Sequence, residues 1–193
     1  MKVLVACEFS GIVRDAFIKK GHDAMSCDIL PTESLGPHFE GDVIDILDQG
    51  WDMMIAHPPC THLAVSGARW FENKQKEQKE ALNFVKSLLE APIEKIALEN
   101  PVSIISTRIR KPSQIIQPWQ FGHPENKKTC FWLKNLPLLE ETNNVKSKME
   151  NMSKREMDRI HHMTPSPERG KQRSLTYSGI AKAMAYLTET ARA

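Results

Sequence analysis

Residues 2–28 read KVLVACEFSGIVRDAFIKKGHDAMSCD, and the fold turns on how that stretch divides. Lys2-Val3-Leu4-Val5-Ala6 is a short apolar, β-branched run, the pattern of a buried strand. Ser10-Gly11 breaks it. Ile12, Val13, Ala16, Phe17 and Ile18 then recur at helical spacing, and Gly21 stands where a helix commonly ends. Ala24-Met25-Ser26-Cys27-Asp28 is a second strand, closing on an acid. Two strands joined by a helix lie parallel, because a tight turn cannot bring them side by side in that sense.

The same rhythm continues outward. Gly41-Asp42-Val43 suggests a short third segment, and Met53-Met54-Ile55-Ala56 is a fourth strand running into His57-Pro58-Pro59-Cys60. Residues 72–90 form an amphipathic helix with Ala81, Phe84, Val85, Leu88 and Leu89 as its apolar stripe. Ile93 to Leu98 is a fifth strand, capped by Glu99-Asn100-Pro101. The alternation predicts an α/β fold, a mostly parallel sheet with helices on both faces. Ligands of such sheets bind at the carboxyl ends of the strands. Phe9-Ser10-Gly11, Asp28, Asp42, Cys60 and Glu99 all fall there. An acid after one strand is commonly a turn or a helix cap, but five such features on one rim mark a site.

The last third is less regular. A helix is expected around 153–162, then an exposed loop through Thr164-Pro165-Ser166-Pro167, then a small-residue helix from Gly179 to Leu187 that can pack closely on the sheet. There is no internal repeat and no boundary to a second domain, so residues 1–193 read as one domain.

Composition narrows the class. The chain has 193 residues, 40% hydrophobic and 26% charged, enough for a globular core. A net charge of +2 is too small to indicate nucleic acid by itself. No window is apolar enough to span a membrane. The N-terminal apolar run is short, broken by Glu8 and followed by no small-residue cleavage site, so it reads as a strand of a cytoplasmic protein. Cys7, Cys27, Cys60 and Cys130 are scattered without paired spacing, which leaves buried thiols, a nucleophile or metal ligands.

Three residue groups carry chemistry. Gly11, in the first strand-to-helix turn, lets backbone amides approach a ligand at a helix N-terminus. The fingerprint G-x-G-x-x-G is absent, so a pyrophosphate is poorly supported. Asp28 stands where an acid holds ribose hydroxyls, and Asp42 could accept from the exocyclic amine of adenine. A nucleoside cofactor without a diphosphate fits better than a dinucleotide. Pro58 and Pro59 fix φ at two residues before Cys60 and lower the entropy of holding its thiol. Just past a strand and near a helix N-terminus, a thiolate is favoured and can add to an electrophilic carbon. Glu99, at the tip of the next strand, suits a proton-bearing general acid, with Asn100 to orient it. A lone cysteine is otherwise a small buried apolar residue. His57, Cys60 and His62 would be splayed apart by an extended loop, so a metal site is not expected.

In order along the chain these residues resemble the cytosine-C5 DNA methyltransferases. Phe9-Ser10-Gly11 is similar to the cofactor loop, Asp28 to the ribose-binding acid and Gly41-Asp42-Val43 to the adenine-contacting segment. Pro58-Pro59-Cys60 resembles the nucleophile motif, with Ser66-Gly67 in the loop beyond. Glu99-Asn100 resembles the acid pair, and Tyr177-Ser178-Gly179-Ile180-Ala181 the last helix, which closes on the cofactor. The resemblance implies a Rossmann-like class I methyltransferase fold, S-adenosylmethionine as cofactor and methyl transfer to C5 of cytosine in DNA. It implies Cys60 as nucleophile, Glu99 as the acid at N3, Pro59 and Asn100 beside them, and Phe9, Ser10, Gly11, Asp28, Asp42 and Pro58 around the cofactor. The target base of a duplex would be flipped out.

The chain departs from that family in three places. Ile12-Val13-Arg14 replaces further glycines of the cofactor loop. Phe121 to Thr129 replaces an arginine-rich segment, leaving Lys127 or Lys128 to supply positive charge beside Ser66 on the nucleic-acid side. Only residues 134–173 stand in place of a target-recognition region, and they carry Lys146, Lys148, Lys154, Arg155, Arg159, Arg169, Lys171 and Arg173. Duplex DNA, single-stranded DNA and a free pyrimidine nucleotide are thus all substrates to weigh, with a partner subunit to supply recognition. Compact chains of this kind resemble phage or prophage modification proteins. Two rivals follow: a pyrimidine C5-modifying enzyme with nucleotide substrates or another one-carbon donor, and a nucleic-acid-binding relative without catalysis.

Overall fold

The computed structural model describes residues 1–187, apart from the side chains at positions 69, 70 and 167. Among these residues the order is β1 Lys2–Ala6, α1 Ile12–Lys19, β2 Asp23–Asp28, β3 His38–Glu40, β4 Met53–Ala56, α2 Gln75–Leu89, β5 Lys95–Pro101, α3 Ile105–Arg108, β6 Gln114–Ile116, β7 Thr129–Lys134, α4 Lys154–Met157, α5 Pro167–Ser174 and α6 Ser178–Tyr186. The strands form one sheet in the order β3-β2-β1-β4-β5-β7-β6. β1 to β5 are mutually parallel, and β7 runs antiparallel between β5 and β6. This is the mostly parallel α/β sheet, with helices on both faces, that the sequence led us to expect.

The central strands are apolar on both sides because both faces are covered. Leu4, Ala6, Met54, Ala56, Ile96 and Leu98 face α2 and the 3-10 turn Val43–Ile46, packing with Val85, Leu88 and Trp132. Val3, Val5, Met53, Ile55 and Ala97 face α1 and α6, packing with Phe17, Ile180, Ala181 and Met184. Removing an aliphatic side chain of this size from water contributes about 1.5–3 kcal/mol. Helix α6 lies close because Gly179 has no Cβ: one placed there would collide with the carbonyl oxygen of Phe121.

Several boundaries differ from the sequence reading. The third strand precedes Gly41 instead of containing it. Strand β5 runs on through Glu99, Asn100 and Pro101, because β7 pairs with them at Phe131, Cys130 and Thr129. The helix expected over 153–162 is the single turn α4. The loop expected beyond it contains α5, whose first turn is capped by Ser166 Oγ accepting from the Arg169 amide at 3.2 Å. A 3-10 segment, Val65–Lys74, precedes α2. Among the described residues no helix is long and apolar enough to cross a membrane.

Candidate active site

The first part of the rim is built where β1 gives way to α1. Cys7 turns the chain with φ of 59°, and Gly11 caps α1 in the left-handed region with φ of 73°. Glu8 lies buried beneath this turn. Its carboxylate accepts from the amides of Val13 at 2.7 Å and Arg14 at 3.1 Å, and from Ser10 Oγ at 3.1 Å. The first-turn amides that the sequence offered to a ligand are therefore taken by the chain itself. A second anion would meet a carboxylate there, while a cationic or neutral group would not.

Arg14 has a structural role of its own in this turn. It is fully buried. Nε donates to Asp15 at 2.9 Å, Nη1 to Ser26 Oγ at 3.1 Å and Thr32 Oγ1 at 3.3 Å, and Nη2 to the carbonyls of Ser34 at 3.3 Å and Leu35 at 3.1 Å. Those donors are spent holding the β2–β3 loop onto α1, so Arg14 is a strut and not an anion receptor. Ser34 Oγ and the Arg14 guanidinium fill the space a Cβ on Gly11 would need.

Asp28 ends β2, and one of its oxygens accepts from the Leu30 amide at 3.0 Å. Asp42 caps the 3-10 turn and accepts from the Ile44 amide at 3.0 Å. Both are thus turn residues in their own right, each with its other oxygen uncommitted among the described residues. Burial first, then the negative charges of Asp28 and Asp42, push the Cys27 thiol up to about 12. The same causes, with burial leading, push Cys7 higher still. Two carboxylates and two neutral thiols therefore share the carboxyl ends of β1 to β3. Phe9 and Ser10 lie half-buried at this rim, and the Phe9 carbonyl accepts from the Glu33 amide at 2.9 Å.

Across the rim stands the thiol side. Beyond β4, the His57 amide continues the ladder to the Ala6 carbonyl at 2.9 Å. Pro58 is buried, and its carbonyl accepts from Asn100 Nδ2 at 2.9 Å. Asn100 therefore anchors the cysteine loop and does not orient Glu99, the role expected for it. Pro59 and Cys60 are exposed, and Ser66 stands exposed in the 3-10 segment. The turn closes as the amides of Leu63 and Ala64 donate to the Cys60 carbonyl at 3.0 and 2.9 Å.

Although Cys60 reaches solvent, enough protein surrounds its sulfur to raise the thiol above its ordinary value, by desolvation first and by the charge of Glu99 second; Lys127 and Arg173 pull it the other way. The expected helix N-terminus does not stabilise a thiolate, because α2 begins only at Gln75, beyond the 3-10 segment. Glu99 differs from expectation too. Burial would raise its carboxyl, but the hydrogen bond with His57 and the Lys127 charge leave it below its ordinary value. The resting group is a carboxylate, not a proton-bearing acid. His57 Nδ1 lies 3.2 Å from Glu99 Oε2.

Lys127 acts on both groups and donates from Nζ to the Arg173 carbonyl at 2.8 Å. Lys128 is exposed, and its charge is felt instead at Cys130. A small cavity beside Glu99 is lined by Lys127, Thr129, residues 174–177 and Ile180. The segment that replaces the arginine motif holds this cover in place. Glu125 accepts from Tyr177 Oη at 2.8 Å and from Arg159 at 2.8 Å, and His123 Nε2 accepts from the Gly179 amide at 3.1 Å. Helix α5 reaches back across the rim, where Lys171 pairs with Glu33.

His57, Glu125, Tyr177 and Arg173 were not singled out for these contacts in the sequence. Only His57 carried a signal: Ala56 pairs with Leu98, so the next residue on each parallel strand is His57 beside Glu99. A wider cleft of about 520 Å³, lined by Phe121, Leu139, Glu141, Gly179, Lys182 and Tyr186 among others, contains none of Asp28, Asp42, Cys60 and Glu99. Among the described residues no group of three or more His, Cys, Asp or Glu side chains is placed to hold a metal ion.

Fold and site together define an α/β protein with Asp28 and Asp42 at the ends of β2 and β3, a thiol in the loop beyond β4 and a carboxylate on β5. No family model matches the chain, and no curated protein matches its sequence. Among solved structures it is similar to one described as a candidate DNA modification methyltransferase encoded within an E. coli prophage, with TM-score 0.44 and 13% identity. The match covers 69% of this chain and 46% of that one, so the chain spans under half of that protein's length.

Proposed function

We propose that the chain is an S-adenosylmethionine-dependent methyltransferase acting at C5 of cytosine in DNA, with Cys60 as nucleophile. One observation carries this reading. An exposed cysteine and a carboxylate stand at the tips of adjacent strands, close enough for the charge of one to act on the other. The rim fits the cofactor in kind. Asp28 and Asp42 each keep an oxygen for a ribose or an amine, and the self-capped α1 disfavours a diphosphate but tolerates a sulfonium. Phe9, Ser10, Gly11 and Pro58 would border it. Bound there, the cofactor supplies an electrophilic methyl group.

The chain's own residues do the rest. Cytosine C5 is too weakly nucleophilic to be methylated directly. The Cys60 thiol passes its proton to the Glu99 carboxylate and the thiolate adds to C6, which shifts ring electrons toward C5 and N3. Glu99, once protonated, donates to N3 and stabilises the added charge. Lys127 steadies the negative groups on either side of the base. C5 takes up the methyl group, its proton leaves to solvent, N3 returns its proton to Glu99, and the C6–S bond breaks to restore the aromatic ring and free Cys60. Residues 1–193 act as one domain in this reading, with 134–173 as a reduced insertion.

A free pyrimidine nucleotide is a second reading for the substrate. It is favoured by residues 146–174, which are short helical turns tied down to the rim at Glu125, Lys127 and Glu33. The test is a trap. The protein is incubated with labelled S-adenosylmethionine and 5-fluorocytosine in duplex DNA, in single-stranded DNA or as the nucleotide. A covalent adduct should form on one of these and vanish in Cys60→Ser. Cofactor binding with no adduct on any pool would point to a binding protein. An adduct without methyl transfer would point to another one-carbon donor.

A further inference from the structure

We propose that His57 is a positioning residue for the chemistry at Cys60: its Nδ1–H donates to Oε2 of Glu99, fixing that oxygen and leaving Oε1 for the edge of the pyrimidine. The inference rests on the methyltransferase reading for its purpose, though not for its geometry. Two atoms 3.2 Å apart, each able to carry a lone pair, need a proton between them. The neighbouring nitrogen decides which group owns it. His57 Nε2 is buried and has no partner among the described residues. A buried N–H without an acceptor is disfavoured, because it loses its hydrogen bond to water and gains none in return. The favoured state therefore has a bare Nε2, a proton on Nδ1 and an ionised Glu99. Glu99 Oε1 has no hydrogen-bond partner among the described residues, and Glu99 borders the cavity next to Lys127 and Tyr177.

The imidazole itself has little freedom. Its side chain is only 10% exposed, its amide is tied to Ala6, and Pro58 follows it. The titratable groups facing Glu99 are His57 from the end of β4, Cys60 from the loop beyond, Lys127 from the segment before β7, Cys130 from β7 and Tyr177 from the start of α6. Of these, only His57 touches the carboxylate. Without it burial dominates, and Glu99 would keep its proton before any substrate arrived.

The experiment follows the Glu99 carboxyl by carbon-13 NMR titration in the full chain without ligand. His57→Ala should shift the Glu99 titration upward. His57→Asn, whose amide N–H can stand in for Nδ1–H, should return it toward the wild-type position. If alanine leaves a chain that does not fold, His57→Phe fills the same space without a donor and reads the same shift. A Glu99 titration unchanged in the donor-less variant overturns the inference. The pH profile of 5-fluorocytosine trapping should move in the same direction as the titration. A wild-type protein that traps no adduct would overturn the methyltransferase reading alone.

Discussion

At the residue scale, Cys60 and Arg14 make opposite points. Cys60 looks activated in sequence, since two prolines and a strand end present it, yet its surroundings hold it neutral. Alkylation by iodoacetamide should therefore rise with pH through a midpoint above that of an ordinary cysteine. Glu99→Gln removes the charge that opposes the thiolate and should move the midpoint down. Lys127→Met should move it up. Equal midpoints in all three proteins would show that these charges do not reach the sulfur. Arg14 looks in sequence like a damaged cofactor loop, yet it is a buried strut. Arg14→Met removes the donor from the Leu35 carbonyl, one of two donors from the Ser34 carbonyl, and the positive charge from beside Asp15. Losing one partner of a buried ionic network costs about 3–5 kcal/mol. Urea unfolding should show that loss. A variant as stable as the wild type would mean the β2–β3 loop is held by other contacts.

At the scale of elements, the sequence was read well where periodicity alone decides and less well where pairing does. β1, β4, α1 and α6 were legible because each carries its own apolar pattern. β6 and β7 were not singled out, since nothing local announces that Thr129–Lys134 will insert between β5 and β6. That insertion also carries β5 past Leu98, which turns Glu99 and Asn100 from a cap into paired strand. Alternation then sends the two side chains opposite ways, Glu99 to His57 and Asn100 to Pro58. Helix α4 stops early because Asp158 and Arg159 are drawn to Asn126 and Glu125. Helix α6 shows the value of a small residue at a close approach. Gly179→Ala would drive a methyl group into the Phe121 carbonyl. Such overpacking costs about 1–3 kcal/mol. Thermal unfolding should fall by several degrees, and an unchanged Tm would show that α6 can shift outward freely.

For the whole molecule, the parallel sheet gathers residues far apart in sequence onto one edge, and that convergence could be read without a structure. The chemistry of the edge could not. Helix-terminus arguments predicted free amides at α1 and a lowered thiol at Cys60. The chain instead caps α1 with Glu8 and places a 3-10 segment where a helix was expected to start. Both errors share one cause: a turn's own side chains compete with a ligand for the same backbone groups. Residues 146–173 were legible only as composition. Its contacts to Glu125, Lys127 and Glu33 depend on where the sheet brings those partners.

Strand β5 has one more implication. Glu99 is stitched into paired backbone on the line between β4 and β7, whereas Cys60 rides on a turn that reaches solvent. The two groups are then the jaws of a vice, one cast into the bench and the other on the screw. Changes in the cysteine loop can retune how fast the jaws meet without disturbing the grip on the proton.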